Sequence, residues 1–338
     1  MLTHEKNVII FSIFLRALNR FLGYYRLSAS SSLVGRFDRA QPARGFVSEV
    51  ILIVKRSLVC FAISMLVGPV WADSHTTLQT QYLALGDSLA FGYSPLVQPP
   101  DLNQYVGYAR IIAGVAGQGL ANASCPGETT STFVGTSTDF YPGFNCVTMQ
   151  QQNQLYVPYN GAPNQLAYAV QFLGANPNTK LVTIDIGVND LGLLEINCST
   201  EFAGNPTAIT NCELSGLPGT LTTLGQNLAT IFSGLRATGY KGLIVALDGF
   251  PFNYNDPVQV GGITAFNTLV DQVASPFGVT TADLYVPFQN ASAAFGGDTC
   301  AAGLLIKLSD GTCDTHPNAA GQTLVTSAVL QVIERLLP

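Results

Sequence analysis

Histidine, cationic side chains and long apolar runs are all scarce in this chain, and each scarcity narrows what it can do. Three histidines occur in 338 residues. His4 lies in the leader and His75 just after it, so His316 is the single histidine in the body of the chain. One usable histidine, with no C-x-x-C spacing among the cysteines, gives poor support to a metal centre. Charged residues make up only 11% of the chain, and their signs are segregated. Residues 1–72 hold 9 Lys and Arg against 3 Asp and Glu, whereas residues 73–338 hold 6 against 18. A body that acidic lacks the electrostatic footprint of a nucleic-acid binder. Nor is it drawn to an anionic membrane surface. Neutral substrates fit better. The apolar stretch Ser57 to Val70 falls short of the roughly 20 residues that span a bilayer, which argues against a stable membrane anchor.

That stretch reads instead as an export signal. Lys55-Arg56 form a basic n-region, Ser57 to Val70 an apolar h-region, and Val70-Trp71-Ala72 a small-residue cleavage site. The signal peptide then covers about residues 50–72, the mature chain starts at Asp73, and residues 73–338 form one domain. Residues 1–49 precede the signal and fit a start codon assigned too far upstream. An arginine-rich, acid-poor leader also resembles an organellar transit peptide. The cysteines favour export to an extracellular or periplasmic location. With Cys60 removed, six remain, and an even number in an exported chain reads as disulfides. They fall into three pairs close in sequence: Cys125–Cys146, Cys198–Cys212 and Cys300–Cys313.

From residue 80 onward, short apolar segments alternate with helical ones. Strands are expected at 81–85, 119–123, 180–186, 242–247 and 279–285, and helices at 104–116, 163–174, 220–238, 264–273 and 318–336. In the 163–174 helix the apolar Leu166, Ala167, Val170 and Leu173 are expected to face inward. Residues 128–160 show no periodicity and read as a long aromatic and polar loop, of the kind that is usually functional. A second loop is expected to carry Cys198 and Cys212. Alternation of this sort implies a parallel sheet covered by helices on both faces. Ligands on such sheets bind beyond the carboxyl ends of the strands.

Three short motifs follow predicted strands and so share that rim. They are Gly86-Asp87-Ser88-Leu89, Ser124-Cys125-Pro126-Gly127 and Gly187-Val188-Asn189-Asp190. A fourth, His316-Pro317, opens the last helix. Singly each is weak: Gly-Asp-Ser and Asn-Asp are ordinary turns, and a surface His-Pro is usually a cap. Together, a serine on a turn after a strand and a lone distant histidine supply what nucleophilic acyl transfer needs. A serine hydroxyl is a poor nucleophile until a neighbouring base takes its proton, and histidine suits that task at neutral pH.

With Cys125-Pro126-Gly127-Glu128-Thr129-Thr130 as the second block, the chain resembles the GDSL, or SGNH, family of serine esterases and lipases from about Tyr82 to its C-terminus. Three locally paired disulfides are also similar to secreted bacterial members. The resemblance implies a three-layer α/β/α fold around a five-stranded parallel sheet, flavodoxin-like in order. It implies Ser88 as nucleophile and His316 as general base, with an oxyanion hole made by the Ser88 and Gly127 N–H groups and the Asn189 side-chain amide. Asp87 and Asp190 are then structural, holding the loops that carry Ser88 and Asn189. No cofactor is required, and the implied substrate is a small-molecule or lipid ester met by a monomer. A carbohydrate deacetylase of the same family is the alternative within this class. A catalytically inactive secreted binding module is the alternative outside it.

One position departs from the pattern. The family's acid usually lies three residues before the histidine, and Cys313 stands there, with Asp314 two before. Residues two apart diverge in a turn, so a Ser–His dyad with the ring oriented by a backbone carbonyl is expected unless the segment is extended.

Overall fold

The strand sequences already specify a sheet that is buried on both sides. A computed structural model of the chain describes residues 80–98, 100–137, 159 and 161–336. All of them fall in one compact unit, Leu78–Pro338. The expected leader, its cleavage site and most of the 128–160 loop lie outside the described residues.

Strand β1 (Thr80–Gly86) leads through a single turn into a four-residue helix, α1 (Ser88–Phe91). Then come α2 (Tyr108–Ala116), β2 (Gly119–Asn122), α3 (Thr130–Val134) and α4 (Gln165–Ala175). Strand β3 (Leu181–Asp185) is followed by α5 (Val188–Glu201), α6 (Pro206–Ala237) and β4 (Leu243–Leu247). The rest of the domain comprises α7 (Pro257–Ala274), β5 (Thr280–Ala282), α8 (Tyr285–Ser292), β6 (Leu305–Lys307), β7 (Cys313–Pro317) and α9 (Ala319–Leu336). Strands β1 to β5 form one parallel sheet in the order β2-β1-β3-β4-β5. This is the doubly wound α/β/α arrangement, with its chain reversal between β1 and β3.

Alternation divides each strand between two cores. Leu83, Leu85, Val182, Ile184, Ile244 and Ala246 meet α4, α6 and α7 through Ala169, Leu173, Leu228, Phe232 and Phe266. Tyr82, Ala84, Leu181, Val245 and Leu247 meet α2, α8 and α9 through Tyr108, Ile112, Phe288, Val325 and Val329. Burial of a large apolar side chain contributes about 1.5–3 kcal/mol, so both layers are held by many such contacts. Strands β6 and β7 form a separate antiparallel pair.

Several boundaries differ from the sequence reading, for local reasons. Helix α2 starts at Tyr108, not 104, because Asp101 folds the preceding residues into an Asx turn by accepting the Asn103 N–H at 2.9 Å. The 128–160 segment is not loop throughout: α3 is set by a Thr129–Thr132 capping box, and five residues are too few to show a period. Cys198 and Cys212 sit on helices α5 and α6 rather than in a loop, and their disulfide staples the two. Helix α6 starts well before residue 220, capped by Asn205 with Pro206 in its first turn. The 279–285 strand ends at Ala282, and Tyr285 opens α8. In α4 the inner face runs through Gln165, Ala169 and Leu173, which leaves Val170 exposed.

The Cys300–Cys313 disulfide is present as expected. Cys125 is disulfide-bonded, and its expected partner, Cys146, lies outside the described residues. Among the described residues no helix is long and apolar enough to cross a membrane.

Gly86 is the most constrained backbone position in the sheet. Its φ is +123°, and a Cβ there would lie 2.1 Å from the Asp185 carbonyl oxygen. Gly86→Ala is expected to destabilise the domain by more than about 2 kcal/mol, through strain at positive φ and displacement of β3. Urea unfolding of wild type and variant measures it.

Candidate active site

The C-terminal rim of the sheet gathers the motif residues because β1, β2 and β3 all end there. Ser88 is the first residue of α1, whose N-cap, Asp87, accepts the Leu89 N–H at 3.0 Å. Four residues cannot sustain a helix alone, and side chains from distant segments hold this one. Gln165 grips Gly86 at both ends, accepting its N–H at 2.5 Å and donating to its carbonyl at 3.0 Å. Gln322 of α9 donates to the Leu89 carbonyl at 3.2 Å, and Asn122 of β2 donates to the Ala90 carbonyl at 3.2 Å.

His316 reaches Ser88 from β7, with Nε2 2.8 Å from Ser88 Oγ. Asp314 stands on the same strand, and its carboxylate meets His316 Nδ1 and accepts the His316 N–H at 3.0 Å. The expected divergence of residues two apart does not occur. Residues 313–317 are extended, and in a strand side chains two apart point to the same face. Burial alone would raise the Asp314 carboxyl, but its hydrogen bond and the charge of His316 outweigh burial and hold it below the ordinary value. A carboxylate at Nδ1 selects the tautomer protonated there and leaves the Nε2 lone pair towards the serine. The Cys300–Cys313 disulfide anchors the start of this strand. Tyr93 sets its ring edge-on to His316 at 4.9 Å and stacks on Tyr105 at 6.1 Å.

Gly127 is buried at φ +78° in the turn after β2, and Cys125 donates its N–H to the Gly86 carbonyl at 2.9 Å. Asn189, in the first turn of α5, donates its amide to the Glu128 carbonyl at 2.9 Å and to Asp87 at 3.4 Å. All three motif loops are therefore tied to one another. Asp190 does what a structural residue does: it accepts from Thr130 N–H at 2.9 Å and Thr130 Oγ1 at 2.6 Å. A cleft of about 650 Å³ runs between α2 and edge strand β2, lined by Phe91, Leu102, Tyr105, Arg110 and Leu120. Tyr105 lines it and stacks on Tyr93, whose ring in turn meets that of His316. Among the described residues no group of three or more His, Cys, Asp or Glu side chains stands close enough to share a metal ion.

Sequence reading passed over several residues here: Gln165, Gln322, Glu128 and Asp185. The available signal was an acid inside the apolar run Leu181–Ile186, since a carboxylate is almost never fully buried without a partner.

Burial pushes the Glu128 carboxyl up to about 7 and that of Asp190 up to about 6, despite the hydrogen bonds each accepts. Both groups bind their protons more tightly in the folded chain. The stability they contribute is therefore full below the unfolded values near 4 and is lost as pH rises through 6 to 7. For Glu128 the difference amounts to about 3 kcal/mol. Thermal unfolding at pH 5 and pH 8 should show the decline, and Glu128→Gln should flatten it.

The model of the GDSL-like lipase/acylhydrolase family matches residues 84–324. Among solved structures, phospholipase A1 from Streptomyces albidoflavus NA297 is 20% identical, with a TM-score of 0.50 over 74% of this chain and 98% of that one. The extracellular lipase of Streptomyces rimosus is 18% identical, with a TM-score of 0.48 over 75% and 99%. An acetylxylan esterase from Geobacillus stearothermophilus is 15% identical, with a TM-score of 0.42 over 76% and 95%. No match was found among the curated proteins. At such identities the structures speak for the fold alone. The family match is longer than half of the chain and runs through the turn that carries Ser88, the rim loops and the strand of His316, so the chain belongs to the GDSL-like lipase/acylhydrolase family of ester-hydrolysing enzymes.

Proposed function

We propose that the chain is a secreted serine ester hydrolase working through an acyl-enzyme on Ser88. The observation that carries this reading is the line of contacts from Ser88 Oγ through His316 to the Asp314 carboxylate. His316 Nε2 takes the Ser88 proton as Oγ attacks the ester carbonyl. The tetrahedral oxyanion is met by the N–H groups of Ser88 and Gly127, donors fixed in advance for charge that appears only in the transition state, and by the Asn189 amide, which exchanges its 3.4 Å contact with Asp87 for the oxyanion. The alcohol departs with the proton from His316 and leaves the acyl group on Ser88. Water then gives a proton to His316, attacks the acyl carbonyl, and the acid is released as the proton returns to Ser88. Asp314 keeps the ring in its productive tautomer and steadies the imidazolium. A triad is therefore proposed in place of the dyad expected from sequence, supported by the contact of Asp314 with the ring.

The apolar arm of the ester is placed against the connection between α1 and α2. Tyr93 of that connection covers His316, and Leu96, Leu102 and Val106 on it are exposed. Export is supported by the disulfides and by the basic, apolar and small-residue sequence ending at Ala72.

Kinetics on p-nitrophenyl esters test the chemistry. Ser88→Ala and His316→Ala are expected to remove nearly all turnover, and Asp314→Asn to lower kcat on the order of 10³–10⁴-fold by holding the wrong tautomer. A folded Asp314→Asn protein losing less than about tenfold would return the assignment to a dyad. Export is read separately. Mass spectrometry of protein recovered from the medium should find the N-terminus at or near Asp73, and a chain retained inside the cell from Met1 would remove the secretion reading.

A further inference from the structure

Asp185, the last residue of β3, is 4% exposed, and its side chain points into the layer packed under α2 and α9. Its carboxyl Oδ2 accepts the Ala90 N–H at 3.1 Å and the Asp87 N–H at 3.3 Å, on either side of Ser88. Its Oδ1 accepts the Tyr108 hydroxyl at 2.6 Å. That hydroxyl lies 3.2 Å from Thr183 Oγ1, which in turn shares a hydrogen bond of 2.8 Å with the Tyr82 hydroxyl. The Tyr108 N–H is fixed by Gln322 at 2.8 Å. The carboxyl is thus itself held by strand and helix contacts while it holds the helix that carries Ser88.

We propose that Asp185 is a positioning residue for the nucleophile, setting the orientation of Ser88 Oγ and of the Ser88 N–H by fixing the peptides around them. The inference rests on Ser88 being the nucleophile. Two arguments carry it. Helix α1 is too short to hold its own geometry, and its free N–H groups need acceptors. In addition, an inward-facing position of a buried strand is where an apolar side chain stabilises most, and a carboxyl is costly there. Such breaches of the local rule are expected where function requires them. Burial first, and then the neighbouring Asp87, push the Asp185 carboxyl well above the ordinary range, in keeping with that cost.

The test uses Asp185→Ala and Asp185→Asn in the full chain, with folding checked by circular dichroism and thermal unfolding. A shift of about 1 Å in a reacting group costs on the order of 100-fold, so Asp185→Ala is expected to lower kcat by about that factor with KM within about twofold. Labelling of Ser88 by a fluorophosphonate should slow in parallel. Asp185→Asn is expected to restore kcat to within about fivefold of wild type, because its oxygen still accepts both N–H groups. Its amide donates to the Tyr108 oxygen, whose proton turns to Thr183. A folded Asp185→Ala protein with wild-type kcat overturns the proposal, and so does an Asn variant as slow as Ala. If Asp185→Ala does not fold, Tyr108→Phe decides. It frees the carboxyl from its support and should lower kcat at least about fivefold at unchanged KM, whereas unchanged kcat overturns the proposal. Ester hydrolysis surviving in Ser88→Ala would break the underlying reading instead. A dead Ser88→Ala beside a fully active Asp185→Ala breaks only this inference.

Discussion

Strands β1 and β3 end side by side, with Gly86 paired to Asp185, and the geometry of the whole rim follows from how closely those two residues approach. A residue with a Cβ at position 86 would collide with the Asp185 carbonyl, so the turn into Ser88 exists only because Gly86 is there. The Asp185 main-chain oxygen accepts the Asp87 N–H at 3.0 Å. The chain reversal between these strands opens the crevice in which ligands of such sheets sit. A serine placed at this junction sits beside loops arriving from β2 and β3.

The side chains lined up beyond Ser88 come from a different structural principle. His316 and Asp314 belong to an antiparallel pair outside the main sheet, tethered by the Cys300–Cys313 disulfide and continued by α9. Extended backbone gives them a shared face, and Gln322, on the helix that follows, binds both α1 and α2. One short stretch of chain therefore delivers an imidazole, a carboxylate and a support for the helix that carries Ser88. Its reach across more than 200 residues of sequence is possible because α9 packs in the same core as β1 and α2.

Buried acids are concentrated where the rim loops meet. Asp87, Glu128, Asp185 and Asp190 are all raised by burial; Asp87, Asp185 and Asp190 nonetheless accept backbone N–H groups, and Glu128 accepts the Tyr159 hydroxyl. A net acidic body with few cations cannot neutralise such groups by ion pairs. It satisfies them with N–H and hydroxyl donors, and the rim accordingly depends on geometry more than on charge pairing.

Pattern made the five strands legible, because residues such as Leu83-Ala84-Leu85, Val182, Ile184 and Ile186 supply the apolar runs of a covered sheet. Placement after predicted strands likewise brought Ser88, Gly127 and Asn189 to one rim and elimination pointed to His316, while the roles expected of them came from the family resemblance. Other features left no such trace. Helix α3 is shorter than a readable period, the first turns of α6 bury too little to show one, and Gln165 and Gln322 look like ordinary surface amides until their partners are seen. The position of Asp314 was undecidable from spacing, because two residues diverge in a turn and converge in a strand. The amino-acid sequence by itself determined the layered fold, the strand ends and the identity of a lone histidine, since these rest on local pattern and elimination. Only the tertiary structure decided that 313–317 is extended, that Asp185 grips helix α1 and that two glutamines lock the rim, because each depends on contacts between residues dozens to hundreds of positions apart.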